Sequence, residues 1–215
     1  MEQKGLRITT STGVKEKRLA ALLAGRDPKS LGLGEAIAEA QIAGSLELSG
    51  ASGDEATRAL RAARQAVAAE APFTVGILTA WHRALGVGAG FRTRPRPEAP
   101  QSAPVEFIEG RLAILEQWLS AESRQQLKPA QAGALVLARV MEILPFDDGN
   151  GRVSRLAASH LMVQGGARPP ILVGADKARL DEALQAAFQL HTEPLAALLD
   201  EASERVVDVM IRALE

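Results

Sequence analysis

The chain of 215 residues contains no cysteine and no tyrosine. Without cysteine, disulfide frameworks, thiolate zinc sites and thiol nucleophiles are all excluded. An excess of one charge is lacking as well: 25 basic against 26 acidic residues leave a formal net charge of -1. A long basic footprint of the kind that tracks nucleic acid is therefore not expected, although a local basic patch is compatible with the same total. No segment reaches the ~18 uninterrupted apolar residues of a membrane span, and the opening MEQKGLRITTSTGVKEKR mixes both charge signs where a secretory signal would be apolar. A cytoplasmic protein is expected, with neither a membrane nor nucleic acid as partner.

What the chain does have is helical periodicity. Hydrophobic residues make up 47% of it, enough for a conventional buried core, and alternating strand patterns are nearly missing. An all-α fold is the expectation. A short helical piece, KEKRLAALLAG, lies in an N-terminal extension over residues 1–34, and one domain is expected over 35–215. Within that domain, helices are expected in LGEAIAEAQIAGSLEL, in DEATRALRAARQAVAAE with Asp54 as N-cap, and in FTVGILTAWHRALG with Ile77, Leu78, Trp81 and Leu85 inward. Glycine and proline then crowd the stretch from Gly86 to Pro104, which reads as a loop or one short hairpin. Its arginines at 92, 94 and 96 suit either an acidic partner or plain solvation. Further helices are expected over Val105–Ser120 and Pro129–Ile143, then from Gly149 onward, with two or three more between Asp176 and Glu215. Pro145 disfavours helical geometry at Leu144 and so ends the second of these.

The informative stretch is LPFDDGNGRVSRL, from Leu144 to Leu156. A helix start leaves N–H groups unpaired and carries the positive end of the backbone dipole, so it attracts anions. Gly149, Asn150 and Gly151 bring such a start close to a ligand, Arg152 and Arg155 add permanent charge on nearly one side, and Asp148 can offer Mg²⁺ a hard oxygen ligand. Asp-Gly and Asn-Gly alone specify only a turn. A calcium loop is excluded, because its ligand positions would fall on Leu144, Phe146 and Arg155, and the Lys-Ser/Thr ending of a P-loop is missing.

The ordered string resembles the signature of Fic (Fido) proteins, His-Pro-Phe-x-Asp/Glu-Gly-Asn-Gly-Arg-x-x-Arg. It agrees at Pro145, Phe146, Asp148, Gly149, Asn150, Gly151, Arg152 and Arg155, and departs at Leu144. PFTVGILTAWHRAL, GFRTRPRP and EAIAEAQIAGSLELS are similar to the helix, flap and regulatory helix of that family, so the resemblance covers residues 35–200. It implies an all-α Fic core with a short flap hairpin or loop, and transfer of AMP from ATP to a hydroxyl of a protein. It further implies that Asp148 is the Mg²⁺ ligand, and that Phe146, Gly149, Asn150, Gly151, Arg152 and Arg155 belong to the nucleotide site. The family's first histidine takes the proton of the attacked hydroxyl; Leu144 has no lone pair for it.

Two hypotheses follow. In one the protein is a degenerate member that keeps an anion pocket and acts by binding a protein, as a homo- or heterodimer or as a regulator. In the other it transfers a nucleotidyl or phosphoryl group without the histidine, with Asp147 as the nearest acid. His160 falls on an apolar arc and reads as structural, while His82 matches a scaffold position and His191 lies near a helix end. The family's self-restraining glutamate aligns with Ala43, so that brake is expected to be absent; Glu39 and Glu47 lie one turn to either side. A DNA-linked regulator is a third class, without a recognisable helix-turn-helix before residue 35.

Overall fold

The computed structural model describes residues 3–88, 90–121 and 126–215. Among the described residues there are nine α-helices and no strand. They are α1 (Gln3–Leu23), α2 (Leu33–Ser49), α3 (Asp54–Gln65), α4 (Val75–Ala84), α5 (Ile108–Ser120), α6 (Pro129–Ile143), α7 (Asn150–Gln164), α8 (Lys177–Phe188) and α9 (Glu193–Leu214). None of them is long and apolar enough to cross a membrane.

α6 is the centre because it is apolar nearly all round, as a helix enclosed by others must be. Ala130, Ala134, Val136, Leu137, Val140 and Ile143 are all buried. Pro129 fits its first position, where the missing N–H has no helical partner, and Gln131 accepts the Lys128 N–H at 3.0 Å. α7 runs back antiparallel along it, so that Gly165 at its far end lies against Pro129. Gly133 lets the two approach: a Cβ there would lie 2.9 Å from Met162 Cγ. The loop 144–149 at the turn between them is thus held by the most closely packed pair in the core.

α2, α8 and α9 cover one side of this pair and α3, α4 and α5 the other. α2 ends at Gly50, in the left-handed conformation, whose N–H returns to Glu47 O. α4 starts where the Thr74 side chain accepts the Ile77 N–H, and it buries Ile77, Leu78 and Trp81. α1 packs on α9 through Leu19, Val207 and Ile211, supported by a Lys15–Asp208 ion pair at 2.8 Å.

Several expectations change. α1 begins at Gln3, well before the short piece expected from residue 15, even though Gly5 and the threonines are weak helix formers. α3 stops at Gln65 instead of running to Glu70, and its N-cap is Gly53, with Asp54 inside the first turn. Between Gly86 and Pro104 the expected loop is present, without a hairpin among the described residues, and position 89 lies outside them. Proline at 95, 97 and 100 leaves too few N–H donors for strand pairing.

Gly44 on α2 shows how tightly that helix sits, since a Cβ there would lie 1.8 Å from Leu172 O, whereas one at the exposed Gly34 of the same helix meets nothing within 4 Å. Gly44→Ala is expected to destabilise the protein by ~1–3 kcal/mol or more through overpacking. Gly34→Ala is expected to stabilise it by ~0.5–1 kcal/mol. Urea unfolding measures both, and equal effects would contradict this packing.

Candidate functional site

The site forms where α6 hands over to α7. Helix α6 ends at Leu144, whose N–H reaches Val140 O, and whose backbone takes the left-handed conformation at φ 47° and ψ 63°. For a leucine this conformation costs ~1–2 kcal/mol, and persists only where the surroundings impose it. Three groups impose it here. Arg92, only 1% exposed, donates from Nε to Leu144 O at 2.7 Å and from Nη2 to Ala103 O and Ile143 O. Asn150 accepts the Phe146 N–H at 3.0 Å on Oδ1 and donates from Nδ2 to Phe146 O at 2.7 Å. His82 stacks on Phe146 with ring centres 3.8 Å apart, and its Nε2 meets Asp148 O at 3.1 Å. A carbonyl only accepts, so Nε2 carries the proton in the neutral ring.

Gly149 then takes φ 80° and caps α7, in a place where a Cβ would strike Val87. The first N–H groups of α7 have no carbonyl one turn back and border a cleft of about 280 Å³. Leu144, 7% exposed, lines this cleft together with Asp147, Asp148, Arg152 and Arg155. The Asp148 side chain is 70% exposed, with Oδ1 accepting the Gly149 N–H at 2.5 Å and Oδ2 facing Arg152 Nη2 at 3.1 Å. Asp147 is exposed, and its carbonyl accepts from Arg96.

Arg155 is held differently. Its Nε donates to Ser45 Oγ and its Nη2 to Ser45 O, both at 3.0 Å, while Nη1 lies close over Gly151. Among the described residues it forms no ion pair with a carboxylate. Burial, and then the charge of Arg152, push its pKa down to about 10. At neutral pH it is still a cation, in a place where only an incoming anion would compensate it. Glu39 pairs with Arg61, and Glu47 accepts the Gly174 N–H at 2.7 Å. Neither takes the Arg155 guanidinium.

The structure thus brings Leu144, Asp147, Asp148, Gly149, Asn150, Gly151, Arg152 and Arg155 around one cleft. Asn150 borders it through its backbone, because both ends of its side chain are engaged by Phe146. Phe146 itself is fully buried beneath His82 and does not line the cleft. Ser159, one turn beyond Arg155 on α7, faces a smaller cavity behind Arg155 and accepts from Gln41 Nε2 at 3.1 Å. His160 is buried and bonded to Ala71 O at 2.8 Å, as its apolar arc implied, and His191 is exposed. Arg92 as a clasp has no signal in the residue pattern, since a buried arginine and a solvated one read alike in a proline-rich run. Ser45 was missed too, because a lone serine inside a helix carries no pattern.

With this geometry in place, comparison with known proteins gives a consistent result. A model of the Fic/DOC family matches residues 72–162. Protein adenylyltransferase Fic of Drosophila virilis is 32% identical over 108 residues, which are 48% of this chain and 22% of that protein. The chain therefore spans about a fifth of the length of such relatives. A Fic domain containing signaling protein from Bacteroides thetaiotaomicron superposes with TM-score 0.73 at 18% identity, covering 94% of this chain and 97% of that one. The crystal structure of IbpAFic2 covalently tethered to Cdc42 gives 0.56 at 16% identity, over 88% and 69%. At such identities the solved structures speak for the fold alone. The likeness to the Fic/DOC family therefore lies in residues 72–162, less than half of the chain.

Two outcomes check this description. Arg92→Met strands buried carbonyls and is expected to cost at least ~2 kcal/mol in urea unfolding, with a loss under ~0.5 kcal/mol contradicting the clasp. Burial pushes the His82 pKa below its ordinary value, against the smaller opposing pull of the Asp148 carbonyl. The unfolded chain then binds the proton more readily, so stability is complete above pH ~6.5 and falls as pH drops from there toward the depressed folded value. That slope should flatten in His82→Asn, and an unchanged slope would contradict the assignment.

Proposed function

We propose that this protein binds a nucleotide polyphosphate at the start of α7 and works by binding, as a Fic domain that has lost its proton acceptor. The observation that carries the reading is Leu144. It stands at the head of an otherwise matching signature, on the wall of the cleft, and an alkyl side chain accepts no proton at any pH. Loss of a general base lowers such a reaction ~10²–10⁴-fold, while the phosphate contacts come from other atoms.

The residues fit the ligand. The N–H groups that open α7, together with Arg152 and Arg155, would receive negative charge, and the exposed Asp148 carboxylate would hold Mg²⁺. Mg²⁺, when bound, would neutralise part of the polyphosphate charge. Gly149 and Gly151 keep side chains out of the way, and Asn150 and Phe146 keep the loop in shape. Adenine as the base, and hence ATP, is taken from the adenylyltransferase name of the relatives.

A protein partner belongs to the same proposal, on the analogy of the structure that holds a Fic protein tethered to Cdc42. So do a homo- or heterodimeric assembly, residence in the cytoplasm, and the division into an extension over 1–34 and a domain over 35–215. Packing of α1 on α9 makes that extension a docked appendage. A second reading, nucleotidyl or phosphoryl transfer without histidine, is favoured by one observation: the exposed Asp147 borders the cleft near Leu144.

Calorimetric titration of ATP with Mg²⁺ is expected to give saturable binding that weakens at least ~10-fold in Arg155→Ala. Labelled ATP incubated with lysate is expected to leave label on protein only after Leu144→His. Transfer by the unaltered chain that disappears in Asp148→Ala would overturn this reading in favour of the enzyme.

A further inference from the structure

Arg155 stands between two hollows. In front is the cleft at the start of α7, and behind is a cavity of about 30 Å³ shared with Gln41, Ser45, Arg64 and Ser159. That volume holds one or two waters by the ~10–15 Å³ each requires. A long side chain with empty space on both sides has two places to lie, and nothing in its own rotamers favours the front.

Ser45 borders only the rear cavity. It takes the Nε–Nη2 edge of the guanidinium with one hydroxyl and one carbonyl oxygen, each at 3.0 Å. The opposite end of the fork, Nη1 with the second N–H of Nη2, stays available, and Nη1 lies against Gly151 at the cleft floor. Both acceptors are neutral, so the grip cancels none of the charge. The rest of the rear wall is neutral or basic: Gln41 is spent on Ser159, Pro170 O and Arg64, and Arg64 donates to Gln41 Oε1 at 2.5 Å.

We infer that Ser45 is the positioning residue of the anion site: it fixes Arg155 from behind by a charge-neutral, two-point grip and presents the free end of the fork to a phosphate in the cleft. The inference rests on the polyphosphate reading of that cleft. It assigns α2 a supporting role, since the helix orders the arginine without competing for it. An acid at the same place would order the arginine equally well and silence it, because the ion pair would replace the anion.

The test separates order from charge. The Nε–H resonance of Arg155 in ¹H–¹⁵N spectra reports the grip, and ATP with Mg²⁺ reports the site. Ser45→Ala is expected to lose the Nε–H signal to solvent exchange and to weaken ATP binding roughly three- to ten-fold. Ser45→Thr should restore both, and Ser45→Asp should keep the signal while weakening ATP more than Ser45→Ala does. ATP affinity unchanged in Ser45→Ala, or an Nε–H signal indifferent to it, overturns the inference. If the unaltered protein binds no ATP, the polyphosphate reading fails, and the spectra of Ser45→Ala and Ser45→Thr alone decide whether Ser45 holds Arg155. Should Ser45→Ala not fold, a sharp Nε–H signal at neutral pH in the unaltered protein supports the grip, and a solvent-averaged one overturns it.

Discussion

A buried arginine holding the carbonyls at the end of α6 is the constraint on which the site depends. Those carbonyls have no helical partner once α6 stops, and Leu144 turns them into the protein interior. Arg92 reaches them from a loop some fifty residues earlier in the chain. Its burial is costly in itself, yet every fully buried side-chain nitrogen and oxygen among the described residues has a partner, so the cost is met by hydrogen bonds. From this follow the left-handed Leu144, the descent of Phe146 beneath His82, and the tight Asn150 ring that starts α7 in a fixed direction.

Once α7 is aimed, its chemistry is set by what surrounds its first turn. Two arginines enter the cleft under different terms. Arg152 shares its charge with Asp148 at 3.1 Å, a partner exposed enough to exchange it for a cation or for water. Among the described residues Arg155 shares its charge with nothing negative, and it is held by oxygen atoms that leave it intact. On the proposed reading, binding of negative charge and acceptance of a proton fall to different groups, so that the first does not depend on the second. Leu144 presents an alkyl side chain on the wall of the cleft, while the floor is built from other residues.

Much of this was legible in the residues. The helical periods of α2 and α4–α7 located the core, Pro145 marked the end of α6, and Asp148 to Arg155 marked the cleft. Local rules read these because each is a matter of spacing within one element. The features that escaped depend on contacts between distant elements. Arg92 and Arg94 look equivalent in RTRPRP, yet one is buried and the other exposed. Phe146 and Asn150 sit within the signature string, but packing turns their side chains toward the scaffold. Helix α1 runs further back than its composition allows for, which local propensity cannot foresee.

The most direct measurement is an experimental structure of the protein grown with ATP and Mg²⁺. Phosphate oxygens are expected within hydrogen-bond reach of the N–H groups that open α7, against the Nη1 end of Arg155, with only hydrocarbon from Leu144 facing them across the cleft. A cleft closed by apolar side chains, with Arg155 withdrawn into the cavity behind it, would contradict that expectation.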